Sequence, residues 1–376
     1  MIETNAHIVI VSSEFPPQPG GIGNHAYHLA QHLYEHGYEV CVITDERSKL
    51  GEEERAFDGR LPFRVDRIKS KSWRFLMYLR RIATTFKAVR HAPYVIATGK
   101  FSLWNVALCS VFCKCKILAV IHGSEVNFKS VLLRKSVDMA LKRFDAIVAV
   151  SRFTKQLVSH LKRDVIVIPN GIDLRRWAVE EDPEISLKGT PVLTTVGRIS
   201  ERKGQMHVIK HLPELLKVYP DLHYHCVGIS TEMPAFKSVA EDLGVVSHVT
   251  FHGVLDEARL KQVLAGTDLF VMLSTATERG DVEGFGIAIL EANAMGVPAI
   301  GAKGAGVEDA IADGRSGVLI DGNDAQAFVR AVSMILEKKG AFKKQAYEWA
   351  EEHQWRALVQ RYVGVIEGGD ASLRSE

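Results

Sequence analysis

The sequence predicts an α/β fold built from two doubly wound, Rossmann-like domains that face a central cleft. Three observations predict it. Short apolar runs alternate with amphipathic stretches from end to end, the pattern of parallel strands covered by helices on both faces. The alternation pauses once, at "PNGIDLRRWAVEEDPEISLKGTP" from Pro169, where prolines, glycines and charges follow no period, as in a linker. Finally, 376 residues exceed what one hydrophobic core serves.

In the first half the apolar runs place strands at 7–12, 39–44, 94–98, 116–121, 146–150 and 165–168. After the linker the alternation restarts with "VLTTVG", "HYHCVG", "HVTFHG", "DLFVML", "VPAIG" and "GVLI", each followed by a helix-like stretch. The expected division is 1–175, 176–355 and a terminal helix, 356–376, that returns to the first domain with Trp355 as its anchor. Open sheets of this kind bind ligands at the carboxyl ends of their strands, so the chemistry is expected in the cleft.

Net charge is +2, which argues against a dedicated nucleic-acid binder. The apolar run near the N-terminus is too short for a signal peptide core or a membrane span, which predicts a cytoplasmic protein. Five cysteines, Cys41, Cys109, Cys113, Cys115 and Cys226, include a "CSVFCKC" cluster without the paired spacing of a zinc site. They are expected to be buried reduced thiols.

"FPPQPGGIGNHAYHLA" follows the first strand, and its Gly21, Gly23 and Ala26 fit the dinucleotide fingerprint. A glycine loop entering a helix can present bare N–H groups to a phosphate; glycines can equally serve only a tight turn. Three prolines make the approach longer than a dinucleotide turn. Asp45 stands about where a ribose-binding acid would, which keeps an NAD-dependent oxidoreductase as a rival.

"VGRISERKGQ" puts Arg198 at a strand end and Lys203 just before a helix. Two cations there suit a diphosphate, or the segment is a solvated loop. "GDVEGFGIAILEANAMGVP" is more specific. Glu283 lies in a glycine-flanked loop, Gly284 and Gly286 permit close backbone approach, and an apolar helix starting near Phe285 carries Glu291 about a turn and a half in. A carboxylate inside "IAILEANAMG" is costly unless it has a partner or a task.

Two carboxylates separated by seven residues, preceded by "GRISERKG" and "PNGID", resemble the retaining GT-B glycosyltransferases of glycosyltransferase family 4. The N-terminal "GG" loop, "HGSE" at His122 and "VSRFT" at Ser151 extend the resemblance over nearly the whole chain. By that resemblance the loop at Gly20 and Gly21 closes over the donor diphosphate and the acceptor. Arg198 and Lys203 hold the diphosphate, Glu291 the ribose hydroxyls and Glu283 the transferred sugar. Backbone N–H groups around Phe285, Gly286 and Ile287 bind phosphate, His122 lies against the sugar, and the backbone at Gly253 and Val254 meets the nucleobase. Ser151 and Asn170 fall on the acceptor side. The implied reaction is transfer of a sugar from a nucleotide-diphosphate donor to an acceptor hydroxyl with retention.

The resemblance implies no cofactor and no metal: "DVE" at Asp281 and Glu283 only superficially matches a metal clamp, and Arg198 and Lys203 already supply positive charge. The string "ERGDVEGFGIAILEANAMG" looks most like members using GDP-mannose, with a UDP-sugar next. Residues 64–90, "RVDRIKSKSWRFLMYLRRIATTFKAVR", are basic and interleaved with Trp73, Phe75, Leu76 and Tyr78. They read either as a peripheral contact with the inner face of a membrane, suited to a lipid-linked acceptor, or as a packed helix with a solvated basic side. A non-catalytic nucleotide-sugar binder is the second rival; it would need neither His122 nor Glu283.

Overall fold

The computed structural model describes residues 6–48, 50–69, 74–177, 186–230, 232–278 and 280–368. Trp73 of the basic segment and residues 178–185 of the linker lie outside these. The chain divides into two units, Met1–Gly171 with Trp355–Glu376, and Ile172–Gln354.

The first unit holds seven parallel strands: β1 (His7–Ser12), β2 (Glu39–Glu46), β3 (Arg64–Lys69), β4 (Tyr94–Thr98), β5 (Lys116–Ile121), β6 (Ala146–Ala149) and β7 (Ile166–Val167). Their order is β3-β2-β1-β4-β5-β6-β7. The second unit holds β8 (Val192–Val196), β9 (His223–Val227), β10 (Val249–Gly253), β11 (Leu269–Met272), β12 (Ala299–Ala302) and β13 (Gly317–Ile320), ordered β10-β9-β8-β11-β12-β13. Both are the doubly wound order, in which strand direction of travel reverses between the first and fourth strands and opens a crevice at their carboxyl ends.

The central strands are apolar because both faces are covered. Ile8, Val9 and Ile10 of β1 are fully buried, as are Phe270, Val271 and Met272 of β11. Each unit has its own core, one centred on Val9, Val95 and Ala119, the other on Leu193, Tyr224 and Val271. The helix Trp355–Glu367 belongs to the first unit, where Trp355 and Tyr362 are buried against the helix Gly21–Glu35.

One element differs from expectation. The basic stretch 64–90 is not a single helix: Arg64–Lys69 is the edge strand β3, paired in register from Cys41↔Arg64 to Glu46↔Lys69, and the helix is Arg74–Val89. An edge strand faces water, so "RVDRIK" alternates charges with apolar residues and lacks the apolar run of a central strand. The thiols are free, with Cys41, Cys109 and Cys226 buried; Cys113 and Cys115 are only half-buried.

Candidate active site

In the second unit the site grows from the crevice between β8 and β11. β8 is followed by Gly197, whose φ of +144 is open to glycine and whose missing side chain admits the stem of Lys203: a Cβ there would lie 3.0 Å from Lys203 Cε. The short 3₁₀ turn Glu201–Lys203 is pinned to the end of β11, Arg202 O accepting from Thr275 N at 3.1 Å. Lys203 Nζ lies 2.9 Å from Glu283 Oε2, and Arg202 Nη1 donates to the same oxygen. Burial pushes the Glu283 carboxyl up, but the charges of Lys203 and Arg202 outweigh it and hold the group below the usual carboxylate range. Arg198 is exposed and has no side-chain partner among the described residues.

Glu283 sits in the loop between β11 and the helix Ile287–Ala294. Gly286 precedes that helix at φ +96, and no side chain caps it, so its first N–H groups are open to an anion. Phe285 is buried, near His353, leaving only its backbone for a ligand. The side chain of Glu291, the fifth helical residue, makes no hydrogen bond among the described residues. Burial pushes it up to about 7 against the pull of Arg176 and Lys203. Arg176 itself pairs with Glu257, its Nε 2.8 Å from Oε2. Gly253 has φ +70 with open space around it, its carbonyl accepts from Gly228 N at 2.8 Å, and Val254 is exposed.

In the first unit the corresponding crevice lies between β1 and β4. Ser13 N donates to Thr98 O at 3.1 Å, and Gly99, at φ +87, leaves the space that Ser13 Oγ occupies. Gly20 makes room for the Glu14 carboxylate, and the uncapped helix Gly21–Glu35 begins at Gly21. Gly23 has a packing reason of its own: a Cβ would lie 3.0 Å from Phe15 N. Asp45 is engaged by Arg81, whose Nε lies 2.8 Å from Oδ1. The two features that suggested a dinucleotide site are therefore a close helix approach and an ion pair.

His122 follows β5, its Nε2 2.8 Å from Thr98 Oγ1 and its ring edge-on to His25 at 4.9 Å. Burial lowers it to about 3, so it is neutral at ordinary pH. Its backbone N–H donates to Glu125 Oε1, while Glu125 Oε2 is buried without a partner among the described residues. Burial raises Glu125 to about 7, with Lys100 pulling it down and Glu14 pushing it up. Ser151 is fully buried and caps the helix Arg152–Leu157, accepting from Thr154 N at 3.0 Å. That side chain takes part in the local fold. Asn170 is buried too, with Oδ1 unpaired among the described residues.

Residues 19–176 match Glycosyltransferase Family 4, and residues 179–353 match Glycosyl transferases group 1. The GDP-mannose-dependent alpha-(1-6)-phosphatidylinositol monomannoside mannosyltransferase of Mycolicibacterium smegmatis is 31% identical over 271 residues, 67% of this chain and 70% of the relative. The chain belongs to glycosyltransferase family 4. It is a glycosyltransferase that uses a nucleotide-sugar donor, with the GT-B pair of Rossmann-like domains, and the oxidoreductase alternative falls. A GDP-mannose-dependent monoacylated alpha-(1-6)-phosphatidylinositol monomannoside mannosyltransferase of Corynebacterium glutamicum is 25% identical over 389 residues, 96% of this chain and 97% of that one. Among solved structures, Anabaena HepE in complex with UDP and glucose superposes with a TM-score of 0.79 at 18% identity, over 96% of this chain and 100% of that chain. Sucrose-phosphate synthase from Thermosynechococcus elongatus gives 0.77 at 17%, over 96% and 98%.

Two residues beside these groups were harder to read. Arg202 adjoins Lys203 and reads in sequence as one more solvated cation; Glu125, three residues after His122, carried a signal only as the last letter of "HGSE".

Proposed function

We propose that this family 4 enzyme transfers mannose from GDP-mannose, with retention, to a hydroxyl of a phosphatidylinositol mannoside or a similar lipid-linked acceptor. The observation that carries the donor is the 31% identity to a GDP-mannose-dependent relative over two thirds of the chain. Lys203 and Arg198 take the diphosphate, together with the first N–H groups of the helix Ile287–Ala294 and the Gly20–Gly21 loop. Glu291 accepts from the ribose diol, the backbone at Gly253 and Val254 meets the base, and Glu283 and His122 attend the sugar.

The bond from the anomeric carbon to the diphosphate oxygen breaks and the bond to the acceptor oxygen forms on the same face. The hydroxyl proton goes to the departing phosphate oxygen, so no enzyme base is required. Negative charge grows on the diphosphate as that bond breaks, which makes fixed cations and N–H dipoles there the groups that lower the barrier. We propose that no metal takes part: Glu283, one half of the apparent clamp, has its carboxylate already committed to two cations. Turnover should persist in excess chelator.

Peripheral membrane contact is proposed through the helix Arg74–Val89, whose first turns expose Phe75, Leu76 and Leu79 beside Arg80. Among the described residues no helix is long and apolar enough to cross a membrane.

A thermal-shift panel of GDP, UDP, ADP, dTDP and NAD tests the donor, because a ligand at one hundred times its dissociation constant stabilises by about 2.7 kcal/mol. GDP should raise the melting temperature most, and GDP-mannose should then mannosylate phosphatidylinositol monomannoside. A response to UDP alone would overturn the donor. Nucleotide binding without sugar transfer would favour a non-catalytic binder.

A further inference from the structure

Glu283 is held by two cations on adjacent residues, and the proposed diphosphate site claims only one of them. Lys203 Nζ and Arg202 Nη1 both reach Glu283 Oε2. The turn that carries them is held close to the end of β11 by its backbone. Gly204, at φ +82, comes so close to the end of β11 that a Cβ would lie 1.9 Å from Leu273 O, a contact no rotamer change relieves. Arg202 is braced on the same side through Thr275.

A carboxylate that is 9% exposed is costly to leave without a counter-charge. When Lys203 turns to a diphosphate, Arg202 is the cation that remains on Glu283. We propose that Arg202 is a positioning residue for sugar transfer, keeping the Glu283 carboxylate paired and in place while Lys203 serves the diphosphate. Arg202 then acts on the sugar only through Glu283. This rests on the roles of Lys203 and Glu283 proposed above.

The test compares Arg202→Met, Arg202→Lys and Lys203→Met with the parent, by calorimetry with GDP and by the rate of GDP-mannose consumption across pH. Arg202→Met should bind GDP within about twofold of the parent while its rate constant falls by roughly tenfold or more, a loss in kcat and not in KM. The acid limb of its rate profile should move to higher pH, since Glu283 loses one of the two charges that hold it low. Arg202→Lys should recover most of the rate. If Arg202→Met loses GDP affinity as badly as Lys203→Met, Arg202 is itself a diphosphate ligand and the proposal fails. It fails equally if Arg202→Met keeps the parent's rate and pH profile. Normal GDP binding by Lys203→Met would instead overturn the assigned diphosphate site.

Discussion

Lys203 Nζ lies 2.9 Å from Glu283 Oε2, so the cation proposed to take the diphosphate already holds a carboxylate. Any phosphate oxygen that reaches Lys203 competes with Glu283 for it. Glu283→Gln should therefore bind GDP at least as well as the parent, by roughly three- to tenfold more tightly at low salt. Its rate constant for transfer should fall, because the group proposed to meet the sugar as charge develops has lost its own charge. Calorimetry and saturating kinetics measure the two effects. Weaker GDP binding by this variant would mean that Glu283 touches the nucleotide.

Glu291 works differently, because its carboxyl has no hydrogen-bonded partner among the described residues and burial raises it to about 7. A ribose diol donates best to the ionised form, so GDP affinity should rise as pH increases through 7. Glu291→Gln should flatten that dependence, and Glu291→Ala should weaken GDP and GDP-mannose alike, by about ten- to a hundredfold. A flat affinity for the parent between pH 6 and 8 would contradict the ribose role.

The strands were legible wherever both faces are buried, as in "HIVIVS" and "LFVM", because such strands are continuously apolar. β3 was not, since an edge strand shares its charge alternation with a solvated helix. In the site, the carboxylates Glu283 and Glu291 stood out because they interrupt a glycine-rich and apolar context. Arg202 did not, since its partner is 81 residues away in sequence and pairing across a fold leaves no local pattern. The motif at Ser151 also carries a local signal, since the serine and Thr154 form a helix cap.

Membrane binding should depend on the apolar end of the helix Arg74–Val89 and not on Arg81. Arg81 pairs with Asp45 and its guanidinium lies 4.2 Å from the centre of the Phe101 ring, so changing it disturbs the first unit's own packing. Phe75, which is 70% exposed, and Leu79 are free of that duty. Phe75→Ser with Leu79→Ser should abolish binding to anionic liposomes, leaving GDP affinity unchanged. Arg80→Glu should weaken liposome binding in a salt-dependent manner. Unaltered binding by the double variant would assign these side chains to the fold alone.

The last prediction concerns acid. His225 donates Nε2–H to Lys188 O at 2.9 Å, so its Nδ1, 2.8 Å from His252 Nε2, must accept. A proton added to His225 Nδ1 would set two donors against each other. His223, buried and bonded to Thr250 Oγ1 at 2.8 Å, is lowered to about 4 by burial first, then by His225, Lys188, His248 and His252. Burial also lowers His225 and His252. A folded pKa below the unfolded value means stability that is present above about pH 6.5 and lost as pH falls toward 4. At pH 5 the loss from His223 alone should be about 2 kcal/mol at most. Hydrogen exchange of the β9 and β10 amides should accelerate on moving from pH 7.5 to 5, after correction for the intrinsic rate, and His223→Gln should blunt the change. Equal protection of these strands at both pH values would show that the cluster takes up its protons without cost to the fold.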